Sequence, residues 1–333
     1  MRVLVIRCGA LGDLVYATSV LDALKLEYGE DTTIDFVCTP GSAKLFEADS
    51  RVNQVFHLKH KKIPLFFSKE KRKIIQYSKQ HPYDILINFE HGKQFKDLVM
   101  SITAIKKFGS FFDFHGLPKN VVHMVDIIKY VYKNAISQKV LDQSYPKLLG
   151  TNSNDAKKKY NLPDNYIIIS PSNSHQKKNR LNYRAWENQK WVELIKVLSE
   201  KIQVVIIGNK GEEVFFEKIR PYPPNVIDLV AKTSLPDLIG VIEGASALVA
   251  TDTGTAHIAS ATNTEVFALI GPTPANQTGP YKTPSNEVHI ISVNLECSPC
   301  YKTEQMQQCR DNICMKEIST EMVYNSIKSA KLW

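Results

Sequence analysis

Two short stretches of this chain carry residue types that can bind an anion and move a proton. The first is Thr251-Asp252-Thr253-Gly254-Thr255-Ala256-His257. It follows the apolar run Ala247-Leu248-Val249-Ala250, which reads as a buried strand, and it opens a helix made of small residues. Such a turn presents backbone N–H groups at the positive end of a helix dipole, where a phosphate is stabilised. Asp252 and His257 add titratable groups beside it. An ordinary helix cap for Asp252 or Thr253, and a core-packed His257, are the plain alternatives. The second stretch is Arg7-Cys8-Gly9-Ala10-Leu11-Gly12-Asp13. Asp13 opens the first helical pattern, either as a general base for a hydroxyl or as a first-turn acid favoured by the dipole. The G-x-x-G spacing lacks the third glycine of a dinucleotide fingerprint, and no acid clearly ends the second strand, which disfavours a nicotinamide enzyme.

The elements that must hold these residues alternate along the chain. Val3–Ile6, Thr33–Cys38, Gln54–Leu58, Asp84–Asn88 and Lys107–Phe112 read as strands, and Asp13–Leu26 as a helix. A polar stretch from Gly150 to Lys159 reads as a linker. The pattern then restarts with strands at Tyr166–Ser170, Gln203–Ile207 and Val226–Leu229, and helices at Trp191–Glu200, Glu212–Ile219, Leu235–Glu243 and Ser319–Lys331. Leu269-Ile270-Gly271-Pro272-Thr273 repeats the strand-then-loop pattern of the Asp252 motif, so two strand ends should share one crevice. Strands separated by helices imply parallel sheets with right-handed crossovers. The expectation is an α/β protein of two Rossmann-like domains with a cleft between them. The domains should span residues 1–155 and 156–333, with the last helix free to pack back on the first.

With 333 residues, 43% of them hydrophobic, the chain is too long for one typical core. A net charge of +8 and a pI near 9.0 point to an anionic partner. The N-terminal apolar run is too short for a signal peptide and stops at Arg7. No run of about 18 apolar residues predicts a membrane span. The expected location is therefore cytoplasmic. Cys8 and Cys38 are expected as free thiols there. Cys297, Cys300, Cys309 and Cys314 have the spacing C-x2-C-x8-C-x4-C, which could hold a structural zinc, stay reduced or pair locally.

Three blocks in this order resemble glycosyltransferase family 9, the ADP-heptose:lipopolysaccharide heptosyltransferases. They are the N-terminal strand with Gly12-Asp13, the Arg184-x-Trp186-x4-Trp191 segment after Ser170-Pro171-Ser172-Asn173-Ser174, and Asp252-Thr253-Gly254-x-x-His257 followed by Gly271-Pro272-Thr273 and Gly279-Pro280-Tyr281. The cysteine-rich tail is similar to one seen in many members. The resemblance implies the GT-B fold, transfer with inversion and no required cofactor. It implies a first domain binding a phosphorylated, lipid-linked saccharide of the Kdo–lipid A type, with Arg7, Gly12 and His91 on the acceptor side and Asp13 as base. It implies a second domain binding ADP-heptose through Ser172, Arg184, Glu212, Asp252, Thr253, Gly254, Thr255 and His257. No Asp-x-Asp occurs, so the diphosphate charge would fall to the Thr253–Thr255 backbone and Arg184. The chain departs from the family's pattern at Arg184, commonly Lys, and at Glu187, often Pro. The loop His175–Tyr183 is longer and basic, with Lys177, Lys178 and Arg180 able to share the phosphate role. Trp186 and Trp191 read as packing residues.

A basic segment remains, from His57 to Lys79. Its Lys59, His60, Lys61, Lys62, Lys69, Lys71, Arg72 and Lys73 are interleaved with Ile63, Leu65, Phe66, Phe67, Ile74 and Ile75. It fits either peripheral docking on the anionic inner face of the inner membrane or a solvated helix over a core. A nucleic-acid partner is not expected, because no binding module accompanies the spread charge. A different nucleotide sugar or glycan, or a sugar-nucleotide epimerase of similar fold, are the other readings.

Overall fold

The structure is a computed structural model, described over residues 1–59, 63–172 and 181–333. The chain forms two compact units, Met1–Gly150 and Thr151–Trp333.

In the first unit β1 (Arg2–Ile6), β2 (Thr33–Cys38), β3 (Val52–His57), β4 (Tyr83–Asn88) and β5 (Ala104–Gly109) form a parallel sheet in the order β3-β2-β1-β4-β5. Strand β1 is central and buried on both faces. Leu4 and Ile6 pack with Ile74, Phe95 and Leu98 from the helices Lys69–Gln80 and Lys93–Ser101. Val3 and Val5 point to the other face and are equally buried. The expected strand at 107–112 is shifted. The strand ends at Gly109, which adopts φ +91° and whose Cβ would lie 2.3 Å from the Asn88 carbonyl, and the chain then turns. The expected helix 13–26 is two helices, Leu11–Ala17 and Ser19–Tyr28, broken at Thr18, whose Oγ1 donates to the Val15 carbonyl at 2.7 Å.

In the second unit β6 (Tyr166–Ser170), β7 (Gln203–Ile206), β8 (Ile227–Asp228), β9 (Ala247–Thr251), β10 (Glu265–Leu269) and β11 (Val288–Ile291) form a parallel sheet in the order β11-β10-β9-β6-β7-β8. Ile167, Ile169, Val249 and Phe267 pack with Trp191, Leu194 and Leu198 of the helix Asn188–Ser199. Val323 and Ile327 of the last helix, which was expected to be free to return to the first domain, are buried in this second core. Trp186 and Trp191 are packing residues as read: both are buried, 4.7 Å apart edge to face, and Trp186 Nε1 donates to the Ile318 carbonyl at 2.8 Å.

The boundary between the units falls at the start of the stretch read as a linker, and the rest of that stretch is structured. Residues from 153 to 160 form a helix, capped by the Asn152 side chain, and it belongs to the second unit. Asp237 holds it there, accepting from Thr151 Oγ1 at 2.9 Å, Lys159 Nζ at 2.7 Å and Tyr160 OH at 3.0 Å. Of the polar residues that suggested a linker, Thr151 and Lys159 are partners of this carboxylate. Among the described residues no helix is long and apolar enough to cross a membrane.

Candidate functional site

In each unit the polar residues collect where parallel strands end. In the first unit β1 runs into Arg7, β2 into Thr39 and β4 into Glu90. With Cys8, Gly9, Ala10 and Asp13 these residues line an open pocket of about 450 Å³. Asp13 stands in the first turn of the helix Leu11–Ala17. Its Oδ2 accepts from the Ala10 N–H at 3.0 Å and its Oδ1 from Arg7 Nη2 at 3.1 Å. The carboxylate is thus fixed from two sides, yet its side chain keeps 37% exposure. Gly9 makes room for it, since a Cβ there would lie 2.4 Å from Asp13 Cβ.

Arg7 also approaches Glu90, with Nη1 3.7 Å from Oε1. Glu90 Oε1 accepts from the Cys8 N–H at 2.8 Å. Glu90 was missed from sequence, although an acid two residues past a strand end was a usable signal. His91 follows it, 2.7 Å from Ser110 Oγ through Nδ1, with its ring against Phe114. Desolvation, then the charge of Arg7, moves the His91 pKa below the usual imidazole value. The structure thus brings Arg7, Asp13 and His91 to the C-terminal ends of the neighbouring strands β1 and β4. Gly12 lies in the same helical turn as Asp13.

In the second unit Asp252 is the centre of the predicted set. It is 4% exposed at the end of β9. Arg184 Nε lies 3.2 Å from its Oδ2, and Arg184 Nη1 donates to its carbonyl at 3.4 Å. His257 Nε2 lies 3.9 Å from Oδ1. The Arg184 approach to Oδ2 is a charge contact without hydrogen-bond alignment, so among the described residues Oδ2 has no donor. Thr251 Oγ1 and Thr273 Oγ1 are also buried without partners there. Buried acceptors and hydroxyls left unmet at neighbouring strand ends suit a polar ligand, because leaving them unmet is costly.

Thr253, Gly254 and Thr255 form the turn into the helix Gly254–Ser260. Thr255 Oγ1 lies 2.7 Å from Thr253 Oγ1 and 2.8 Å from Ser170 Oγ, which ties the ends of β9 and β6 together. Ser172 donates to Glu212 Oε2 at 2.6 Å, and the Asn209 N–H donates to the same oxygen at 2.9 Å. The predicted donor-side residues therefore form two groups, one around Asp252 and one pairing Ser172 with Glu212. The basic residues Lys177, Lys178 and Arg180, with Asn173 and Ser174, lie outside the described residues, as do His60, Lys61 and Lys62. Tyr301 was not foreseen. Its ring centroid is 4.7 Å from the Arg184 guanidinium carbon.

The zinc expectation is not supported. All four cysteines of the tail are free thiols, and among the described residues no three His, Cys, Asp or Glu side chains are arranged to hold a metal ion. Cys314 is buried against Gly271, with Sγ 3.6 Å from Asn312 Oδ1. Burial, then the neighbouring cysteines, pushes its thiol up to about 11.

Comparison with known proteins agrees with this picture. The profile described as glycosyltransferase family 9 (heptosyltransferase) matches residues 103–310. The chain is 24% identical over 289 residues to lipopolysaccharide heptosyltransferase 3 of Escherichia coli, covering 79% of this chain and 81% of that protein. Its structure is similar to a family 9 glycosyl transferase from Veillonella parvula, with TM-score 0.79, 16% identity, and 98% and 96% of the two chains covered. It is also similar to the ADP-heptose lipopolysaccharide heptosyltransferase II of E. coli, with TM-score 0.76, 18% identity, and 99% and 98% covered. The fold is GT-B, and the protein is a glycosyltransferase. The chain belongs to glycosyltransferase family 9, the heptosyltransferases.

Proposed function

We propose that this enzyme transfers heptose from ADP-heptose to a hydroxyl of a lipopolysaccharide core acceptor of the Kdo–lipid A type, with inversion and with Asp13 as general base. The observation that carries the reading is the Asp13 carboxylate, fixed by Arg7 and the Ala10 N–H yet open to the pocket. An inverting transfer needs one base. Asp13 takes the hydroxyl proton as the oxygen attacks the anomeric carbon from the side opposite the diphosphate, and ADP departs with the bonding pair. Arg184 and the Thr253–Thr255 backbone meet the charge that develops on the leaving diphosphate. Asp252 Oδ2, ion-paired with Arg184 but without a hydrogen-bond donor among the described residues, accepts from a heptose hydroxyl, with His257 beside Oδ1. Ser172 and Glu212 serve the nucleoside side of the donor. Arg7, Gly12 and His91 serve the acceptor side, with His91 in its neutral form.

The donor choice is supported by the names of the relatives above and is tested directly. Calorimetric titration with ADP-heptose, ADP, UDP and GDP should show adenine-nucleotide preference, and ADP release should require a heptose-free core acceptor. Preference for another nucleotide would overturn the named donor. Donor consumption without acceptor would favour the epimerase reading.

The acceptor is lipid-linked, and the first unit carries a surface suited to anionic lipid on the inner face of the membrane. Phe66 and Phe67 are 77% and 72% exposed. Lys59, Lys69, Arg72 and Lys73 of the same segment are exposed as well. Lys71, grouped with these by sequence, is buried and is not part of the surface. Its ammonium donates to the carbonyls of Ile63 and Gln94 and so anchors the turn that presents the two rings. Aromatic rings amid basic charge suit the interface of an anionic bilayer.

A further inference from the structure

Arg184 makes two contacts that restrain its guanidinium. One is with Asp252, through the Nε and Nη1 approaches described above. The other is with the Tyr301 ring, at 4.7 Å from centroid to guanidinium carbon. Lys302 Nζ lies 5.1 Å from the same ring, so Tyr301 faces two cations.

Tyr301 lies in neither a strand nor a helix. It lies in the cysteine-rich loop, and that loop is tied to the end of β10. The N–H groups of Cys300 and Tyr301 both donate to the Pro272 carbonyl at 2.9 Å. Ser298 Oγ donates to the Gly271 carbonyl. Thr303 closes the turn, its N–H donating to the Cys300 carbonyl at 3.1 Å and its Oγ1 at 2.6 Å. Lys302 takes a left-handed φ of +63° inside this turn, a conformation a lysine keeps only when its surroundings impose it. The turn is therefore built to aim residue 301.

We propose that Tyr301 is a positioning residue for Arg184, its ring fixing the guanidinium plane so that the outer Nη edge faces the diphosphate of the sugar donor. An arginine side chain is flexible, and a fixed bidentate approach to phosphate requires its plane to be set in advance. Asp252 alone cannot do this, because its Oδ2 contact lacks hydrogen-bond alignment. An aromatic face restrains the plane without consuming an N–H group. Nη1 donates to the Asp252 carbonyl and Nε lies beside Oδ2 as a charge contact, while among the described residues Nη2 makes no hydrogen bond or ion pair and stays available for phosphate. The cysteine-rich tail thereby gains a role that needs no metal: it carries Tyr301 to its place. This inference rests on the reading of Arg184 as the diphosphate contact.

The test is a set of variants in the full-length enzyme: Tyr301→Phe, Tyr301→Leu, Arg184→Ala and the Tyr301→Leu, Arg184→Ala pair. Each is measured for donor KM, acceptor KM, kcat, ADP affinity by calorimetry, and melting temperature. Tyr301→Phe keeps the ring and should stay near wild type. Tyr301→Leu should raise donor KM and weaken ADP by about 3- to 30-fold, the range of a partly desolvated cation–π contact, with acceptor KM unchanged. In the Arg184→Ala background the same change should add nothing. A normal donor KM in Tyr301→Leu alongside an impaired Arg184→Ala would overturn the role of Tyr301 alone, as would additive losses in the pair. A normal donor KM in Arg184→Ala would remove the diphosphate reading itself.

Discussion

The guanidinium of Arg7 lies 3.1 Å from Asp13 Oδ1, and its other nitrogen lies 3.7 Å from Glu90. One nearly buried cation therefore stands between two carboxylates that both line the pocket, and Asp13 is the more exposed of the two. This pairing sets the orientation of the proposed base. It comes from the chain's parallel topology, which brings the ends of β1 and β4 side by side.

Gly9 is the second constraint on that orientation. A methyl group there would lie 2.4 Å from Asp13 Cβ and 2.7 Å from Oδ2. Gly9→Ala should displace the carboxylate and lower kcat by about tenfold or more, since ångström-scale misplacement at a reacting group is costly. Full activity of Gly9→Ala would show that the carboxylate position is not critical.

Asp252 is assigned to the donor. Asp252→Asn keeps the volume but removes the charge beside Arg184 and replaces an acceptor with a donor. Donor KM should rise by about 10- to 100-fold, as for loss of a charged hydrogen bond, with acceptor KM unchanged. A change confined to acceptor KM would contradict the placement.

Asp237 gives a pH dependence. It is buried, and burial alone would raise its pKa. The bonds from Lys159, Ser234, Thr151 and Tyr160 win and hold its carboxyl well below the ordinary range. A carboxylate depressed in the folded state stabilises above its unfolded value near 3.9 and loses that contribution as pH falls below it. Acid unfolding of wild type should therefore steepen below about pH 4. Asp237→Ala should lose about 2–4 kcal/mol at neutral pH, through the freed partners, and show a flatter acid limb. Equal acid limbs in the two proteins would contradict this.

Much of the fold was legible because the central strands are buried on both faces and read as continuous apolar runs, as in Tyr166–Ser170. Two edge strands, β5 and β11, were less so. Ile105 in β5 is 78% exposed, and β11 is only partly buried, so neither gives a clear signal. The Asp13 and Asp252 stretches were visible because each immediately follows a strand. Tyr301 was invisible because its contact with Arg184 joins distant segments through an irregular loop. The burial of Lys71 was hidden because a lysine amid lysines reads as surface.

The exposed rings of Phe66 and Phe67 predict lipid binding. Wild type should co-sediment with anionic phospholipid vesicles, less so at high salt, and not with neutral ones. Phe66→Ser with Phe67→Ser, and separately Arg72→Glu with Lys73→Glu, should release it while transfer to a soluble truncated acceptor persists. Unchanged binding by both variants, or self-association through this face in sedimentation velocity, would reject the surface.

The central claim is tested most directly by Asp13→Asn, assayed for ADP release from ADP-heptose with a heptose-free core acceptor and for ADP-heptose binding by calorimetry. Loss of the base should reduce turnover by about a hundred- to ten-thousand-fold while donor affinity stays within about twofold. Near-normal turnover by Asp13→Asn would contradict the assignment of the base.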